Sequence, residues 1–181
     1  IHVGIDASAW DNERGFGRFT RSLVEALAGR RTGFRYTLIF DRTPERPVPA
    51  GVATVVAGAK RTMAEASSGK GARAGADMLT LSRAAAGLGA DLLFWPASYS
   101  FYPVLSRVPK LVCIHDTIPE RFPDLIFPTR RNFRLWQVKS RLARMQARRI
   151  LTVSEASARD IAGMLHVPRE RIDVPTEGAA A

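Results

Sequence analysis

Cysteine is nearly missing from this chain. Cys113 stands alone among 181 residues, so no internal disulfide holds the fold, and a reducing cytosol is the expected setting. Cys113 lies in the apolar run LVCIH and reads as a small buried side chain, not a reactive thiol. No apolar run is long enough to cross a bilayer. No charged segment followed by an apolar one opens the chain, so secretion has no support. Acid is scarce: 17 Asp+Glu face 27 Lys+Arg, a formal net charge of +10. Between Asp124 and Glu155 there is no acidic residue at all. Such a balance implies an anionic partner, whether nucleic acid, an acidic lipid surface or a phosphorylated small molecule.

What is present is a folding pattern. Hydrophobic residues make up 46% of the chain, and the length suits one domain with a real core. Short apolar runs at His2 to Ala7, Tyr36 to Phe40, Val52 to Val56, Leu92 to Trp95, Lys110 to Ile114, Ile150 to Val153 and Ile172 to Val174 predict strands. Several lack polar alternation, as expected for a sheet covered on both faces. Between them, apolar residues recur at helical spacing: Phe16, Phe19, Leu23 and Leu27; Met78, Leu81, Ala85 and Leu88; Leu135, Val138, Leu142 and Met145; Ile161 and Leu165. Strands alternating with helices predict an α/β fold with a doubly wound, mainly parallel, Rossmann-like sheet, whose ligands sit at the carboxyl ends of the strands. Arg42 to Gly51, with its prolines, reads as a loop, and Ala57 to Ala76 as a mobile one. The last residues, TEGAAA, resemble a linker or an end added outside the domain.

Three segments carry candidate chemistry. In DNERGFGRF, Gly15 and Gly17 form a G-x-G between a first strand and a helix, the setting in which backbone N–H groups and a helix N-terminus hold a pyrophosphate. Asp41 ends the second apolar run, where a ribose-binding acid would sit. Against that reading, the third glycine position is Thr20 and the glycines come late after the strand; a flexible connecting loop is the alternative. In KLVCIHDTIPERFPD, His115 and Asp116 follow directly on a strand that reads as central. The imidazole there either meets a sugar hydroxyl or phosphate, or orders the loop while Asp116 caps the next turn. In ILTVSEASARDI, Ser154 is placed to cap the helix that follows.

Together these segments resemble the N-terminal half of family-4 glycosyltransferases, retaining enzymes of the GT-B fold. The matching features are the GIDA first strand followed by GFGRFTRSLVEAL, the HDTIPERFP loop, and LTVSEASARDI with VPRERIDV, in that order. The resemblance covers nearly the whole chain and is weakest from Thr43 to Ala76. It implies that residues 1–175 form the acceptor-side domain of a two-domain enzyme, with residues 176–181 starting an interdomain linker. It implies a nucleotide-sugar donor, whose diphosphate the segment with Gly15 and Gly17 approaches. His115 would lie beside the transferred hexosyl group, with Asp116 on the same sugar or acceptor side. The acceptor would be a glycan or a lipid-linked molecule, as in polysaccharide biosynthesis, and the location cytoplasmic. The leaving phosphate assists deprotonation of the acceptor in such enzymes, so no protein nucleophile is expected. Neither a cofactor nor a metal site is expected, and the absence of an Asp-x-Asp pair argues against the other common, metal-dependent glycosyltransferase fold. The donor-binding base and paired glutamates belong to a second domain, which implies that this chain alone is inactive.

The acid-free stretch supplies a last candidate. Arg130, Arg134, Arg141, Arg144 and Arg148 recur at helical spacing beside the third apolar stripe. They read either as a solvated face or as a surface for anionic lipid or a lipid-linked acceptor at the inner face of the membrane. Nucleic acid is not expected, since no recognised binding motif or aromatic interleaving is present. Two rivals remain on sequence grounds: a nicotinamide-dependent oxidoreductase domain resting on Gly15, Gly17 and Asp41, and a non-enzymatic basic module for lipid or nucleic acid.

Overall fold

The computed structural model describes residues 1–13, 15–30, 33–59 and 75–175. Seven strands form one parallel sheet: β1 (His2–Asp6), β2 (Arg35–Phe40), β3 (Ala53–Val56), β4 (Leu92–Trp95), β5 (Lys110–Cys113), β6 (Arg149–Leu151) and β7 (Ile172–Asp173). Their order is β3-β2-β1-β4-β5-β6-β7. All seven expected strands are therefore present, within a residue or two at the ends.

That order follows from chain direction. From β1 the chain steps outward to β2 and β3, then returns past β1 to β4 and steps the other way to β7. Right-handed crossovers then put the connections of the two halves on opposite faces. Helix α1 (Gly15–Ala28) joins β1 to β2. Its Phe19, Leu23 and Leu27 pack on a core of Val3, Ile5, Leu38, Phe40, Phe94 and Cys113. On the other face, α2 (Gly75–Gly87), α5 (Arg130–Gln146) and α6 (Glu155–Leu165) bring Leu81, Ala85, Ala143, Ala158, Ile161 and Leu165 against Trp95, Val112 and Ile150. Cys113 is buried as expected. β1 and β4 are neighbours from which the chain departs in opposite directions, so the gap between the loops that follow them is where a ligand can enter such a sheet.

Two short helices, α3 (Ile118–Arg121) and α4 (Pro123–Ile126), occupy the connection after β5. Helix α5 starts where the Thr129 side chain accepts from Asn132 N at 3.2 Å. Helix α6 starts where Ser154 accepts from Ser157 N at 3.1 Å, the cap its sequence announces.

Two expectations change. Gly75 and Ala76 belong to α2, not to a loop. Of the segment read as mobile, 57–59 follow β3, with Ala57 N donating to Phe40 O at 2.8 Å, and 60–74 lie outside the described residues, as does the supposed linker 176–181. The third apolar stripe does not face the core. Only Leu142 packs there, while Leu135, Val138 and Met145 are 47%, 58% and 68% exposed. The face that α5 turns inward carries Ser140 and Ala143 instead. These small side chains let the helix lie close to the sheet, a closeness that long apolar ones would prevent.

Candidate active site at the carboxyl edge

Loops from three strands meet at the gap between β1 and β4. His115, two residues past β5, is the centre. Its ring packs edge-on against Phe19 at 4.7 Å and Phe16 at 5.2 Å between centroids, both on the first turns of α1. Its Nε2 lies 2.8 Å from the carbonyl oxygen of Pro96, in the loop after β4. A carbonyl only accepts, so Nε2 carries the hydrogen. In the neutral ring Nδ1 then keeps its lone pair.

A row of rings continues outward from this histidine. Phe16 contacts Tyr99 at 4.7 Å, Tyr99 contacts Trp136 of α5 at 4.9 Å, and Trp136 meets Phe127 at 6.1 Å. Burial, aided by the charges of Asp116 and Glu120, pushes the Tyr99 phenol above its ordinary value. It stays protonated and available as a donor. Glu120 ties this wall together, accepting from Trp136 Nε1 at 2.8 Å and from the Ser140 hydroxyl at 3.2 Å. Arg144 donates to the same Ser140 oxygen at 2.8 Å. Lys139 reaches over to donate to the carbonyl of Tyr99.

Asp116 takes the local role foreseen as one alternative: its Oδ1 accepts from Ile118 N at 2.9 Å and starts α3. It remains beside His115 on the same loop.

Gly15 and Gly17 are not in a loop but in the first turn of α1. They differ in kind. A Cβ on Gly15 would meet nothing within 4 Å, so the helix start is open to a ligand. A Cβ on Gly17 would fall 1.9 Å from the carbonyl oxygen of Asn12 and 2.6 Å from that of Ala9. Gly17 is thus required by the close return of the Ala9–Asn12 turn onto α1, a turn that Arg21 also clasps through the carbonyls of Trp10 and Asn12. Thr20, in the third glycine position, is buried and donates to Phe16 O at 2.8 Å. Asp41 is buried, and its Oδ1 accepts from Arg42 N at 3.0 Å, which does not suit an acid waiting for a ribose.

The arginines of the basic stretch part company. Arg130, Arg134 and Arg141 are exposed on α5. Arg144 is half-buried, and burial pulls its guanidinium below the ordinary value, with Glu120 opposing and Arg141 adding to the fall. Arg148 lies beyond the helix end, at the opposite edge of the sheet, just before β6. The five residues therefore do not form one helical face.

The aromatic row and Glu120 were not singled out from the sequence. The only signal for them was Glu120 within the loop that carries His115, and a lone tryptophan in a basic helix. Among the described residues no helix is long and apolar enough to cross a membrane.

The family model for Glycosyltransferase Family 4 matches residues 14–175. No curated relative matches the sequence. Among solved structures the chain is similar to the sucrose-phosphate synthase of Thermosynechococcus elongatus, with 11% sequence identity and a TM-score of 0.66. The likeness covers 98% of this chain and 48% of that one, so this chain spans about half the length of that protein. At that identity the match speaks for the fold, an α/β, Rossmann-like half of the GT-B kind. The family match spans most of the sequence and includes every segment that forms the carboxyl-edge site, from the first turn of α1 to the start of α6: this chain belongs to glycosyltransferase family 4.

Proposed function

We propose that this chain is the acceptor-side half of a retaining glycosyltransferase that moves a hexosyl group from a nucleotide-sugar to a glycan or lipid-linked acceptor. A second α/β domain would carry the donor-binding base and paired glutamates. The observation that carries the reading is the joint position of His115 and the open start of α1 at the carboxyl edge between β1 and β4. The first turn of α1 places backbone N–H groups and the positive end of a helix dipole at this edge, which suit a diphosphate. The free Nδ1 of His115 suits a sugar hydroxyl, and the rings of Phe16, Tyr99 and Trp136 offer flat apolar faces for an acceptor. In this scheme the donor's glycosidic bond to phosphate breaks as the acceptor oxygen attacks from the same face. The leaving diphosphate takes the acceptor's proton.

His115 holds its loop as well as facing the site, so His115→Ala would lose both functions. His115→Gln keeps an N–H for Pro96 and removes Nδ1. In the complete enzyme we expect His115→Gln to lower turnover by about ten- to a thousandfold, with little change in melting temperature. Near-normal turnover would remove His115 from the reaction.

A second reading concerns the partner surface. The outward side of α5 carries Arg130, Arg134 and Arg141 together with the exposed Leu135, Val138 and Met145, and Leu125 of α4 is 82% exposed nearby in the chain. Basic and apolar groups on one exposed side suit an anionic lipid surface, where chains of arginine reach the headgroups while apolar tips enter the acyl boundary. We propose that the enzyme works in the cytoplasm against that surface. Sedimentation with phosphatidylglycerol vesicles at low salt, and release as salt rises, is the expected result. Equal binding to neutral vesicles, or none to either, would leave α5 a solvated helix.

A further inference from the structure

A cavity of about 580 Å³ opens at the amino edge of the sheet, on the far side from His115. Its wall is the loop Val104 to Pro109 that leads into β5, with Lys110, Gln146 and Arg148. Gln146 Oε1 accepts from Val104 N at 3.0 Å and so fixes one end of this loop to the end of α5. At the other end Arg148 N donates to Lys110 O at 2.8 Å. The wall is therefore held in place by its own hydrogen bonds.

Its chemistry is one-sided. Lys110 is 5% exposed, an uncommon position for an ammonium. It donates to Ser106 O at 2.8 Å and to Val108 O at 3.0 Å. An ammonium has three N–H groups, so one is left over. No carboxylate pairs with it among the described residues, and burial pulls its pKa down. The Ser106 hydroxyl is buried without a partner. Neither guanidinium of Arg107 or Arg148 makes an ion pair or hydrogen bond among the described residues, and both residues are exposed. The wall thus carries two exposed guanidinium groups over a buried ammonium, and no acid among the described residues lines it.

We propose that this cavity is an anion site for the phosphate group of a soluble phosphorylated small molecule, separate from the donor and acceptor sites at the opposite edge. Arg107 and Arg148 supply the outer contacts, since guanidinium forks match phosphate oxygens. Lys110, buried behind the same wall, adds positive charge that no carboxylate among the described residues offsets. The fixed loop explains why the site needs no rearrangement to form. The position, joined to α5 through Gln146, also links it to the wall that carries Trp136.

The test is an NMR titration of the ¹⁵N-labelled protein with inorganic pyrophosphate in physiological salt, read at the amides of the chain. Saturable shifts are expected at Ser106 to Lys110 and at Arg148, distinct from any at Gly15 to Gly17. Arg107→Ala/Arg148→Ala, both on exposed side chains, should weaken that binding by about tenfold or more. The double variant's own spectrum shows whether it is folded. Shifts confined to the first turn of α1 or spread evenly over surface arginines, or binding undiminished in the double variant, would overturn the proposal. So would a response of these amides to phosphatidylglycerol vesicles and not to pyrophosphate, because the ligand would then be a lipid headgroup.

Discussion

Helices α1 and α5 carry apolar residues at the same helical spacing, yet they use them in opposite ways. On α1, Phe19, Leu23 and Leu27 press onto the sheet, and Phe16 and Phe19 also flank His115. On α5, Leu135, Val138 and Met145 look outward beside arginines, and Ser140 and Ala143 face the sheet. A hydrophobic stripe is a sound guide to a buried face only where nothing else needs that face. In α5 something does. Trp136 and Ser140 share Glu120 as their acceptor on the inner side, and the stripe lies on the other.

The largest effect expected along this contrast is at Gly17. Gly17→Val would drive a branched side chain into the Asn12 carbonyl, which is backbone and cannot step aside. A loss of about 3 kcal/mol or more in urea denaturation is expected, against less than about 1 kcal/mol for Gly15→Ala, whose surroundings are open. Equal stability of the two variants would show that α1 does not sit so close to its preceding turn. For α5, Glu120→Ala strips Trp136 Nε1 and Ser140 of their shared acceptor and should cost about 1–3 kcal/mol; an unchanged denaturation midpoint would mean that the helix is held by Ala143 and Leu142 alone. The smallest effects separate the two stripes directly. Leu23→Ala on α1 should cost about 1 kcal/mol or more, whereas Leu135→Ser, Val138→Ser and Met145→Ser should each stay within about 0.5 kcal/mol. The three together should abolish vesicle sedimentation while leaving the melting curve nearly unmoved. A triple variant that melts much earlier would put that side of α5 in a core.

Much of the frame was legible. Unalternating strands announce a sheet covered on both faces, and Ser154 announces the start of α6. The less legible parts depend on neighbours distant in sequence. Gly17 looked like a residue kept small for a ligand, and proved to be kept small for Asn12 and Ala9. Arg148 looked like a member of the α5 face, but the helix ends at Gln146 and leaves it at the other edge of the sheet, beside the cavity. Asp41 had the right spacing for a ribose acid and the wrong environment, buried and engaged with its neighbour's N–H.

Local chemistry therefore determined what could be decided within a few residues: which runs are strands and where α6 is capped. Those properties depend on backbone propensity, apolar content and side-chain hydrogen bonds that close over three or four positions. The tertiary structure alone decided what surrounds His115. Phe16, Phe19 and Pro96 reach it from the connections after β1 and β4, and their meeting depends on those two strands lying side by side although about ninety positions separate them. It alone decided which side of α5 is inner, where Ser140 and Ala143 are buried and Glu120 binds from another element. Sequence spacing describes one element at a time; the site is made of contacts between elements.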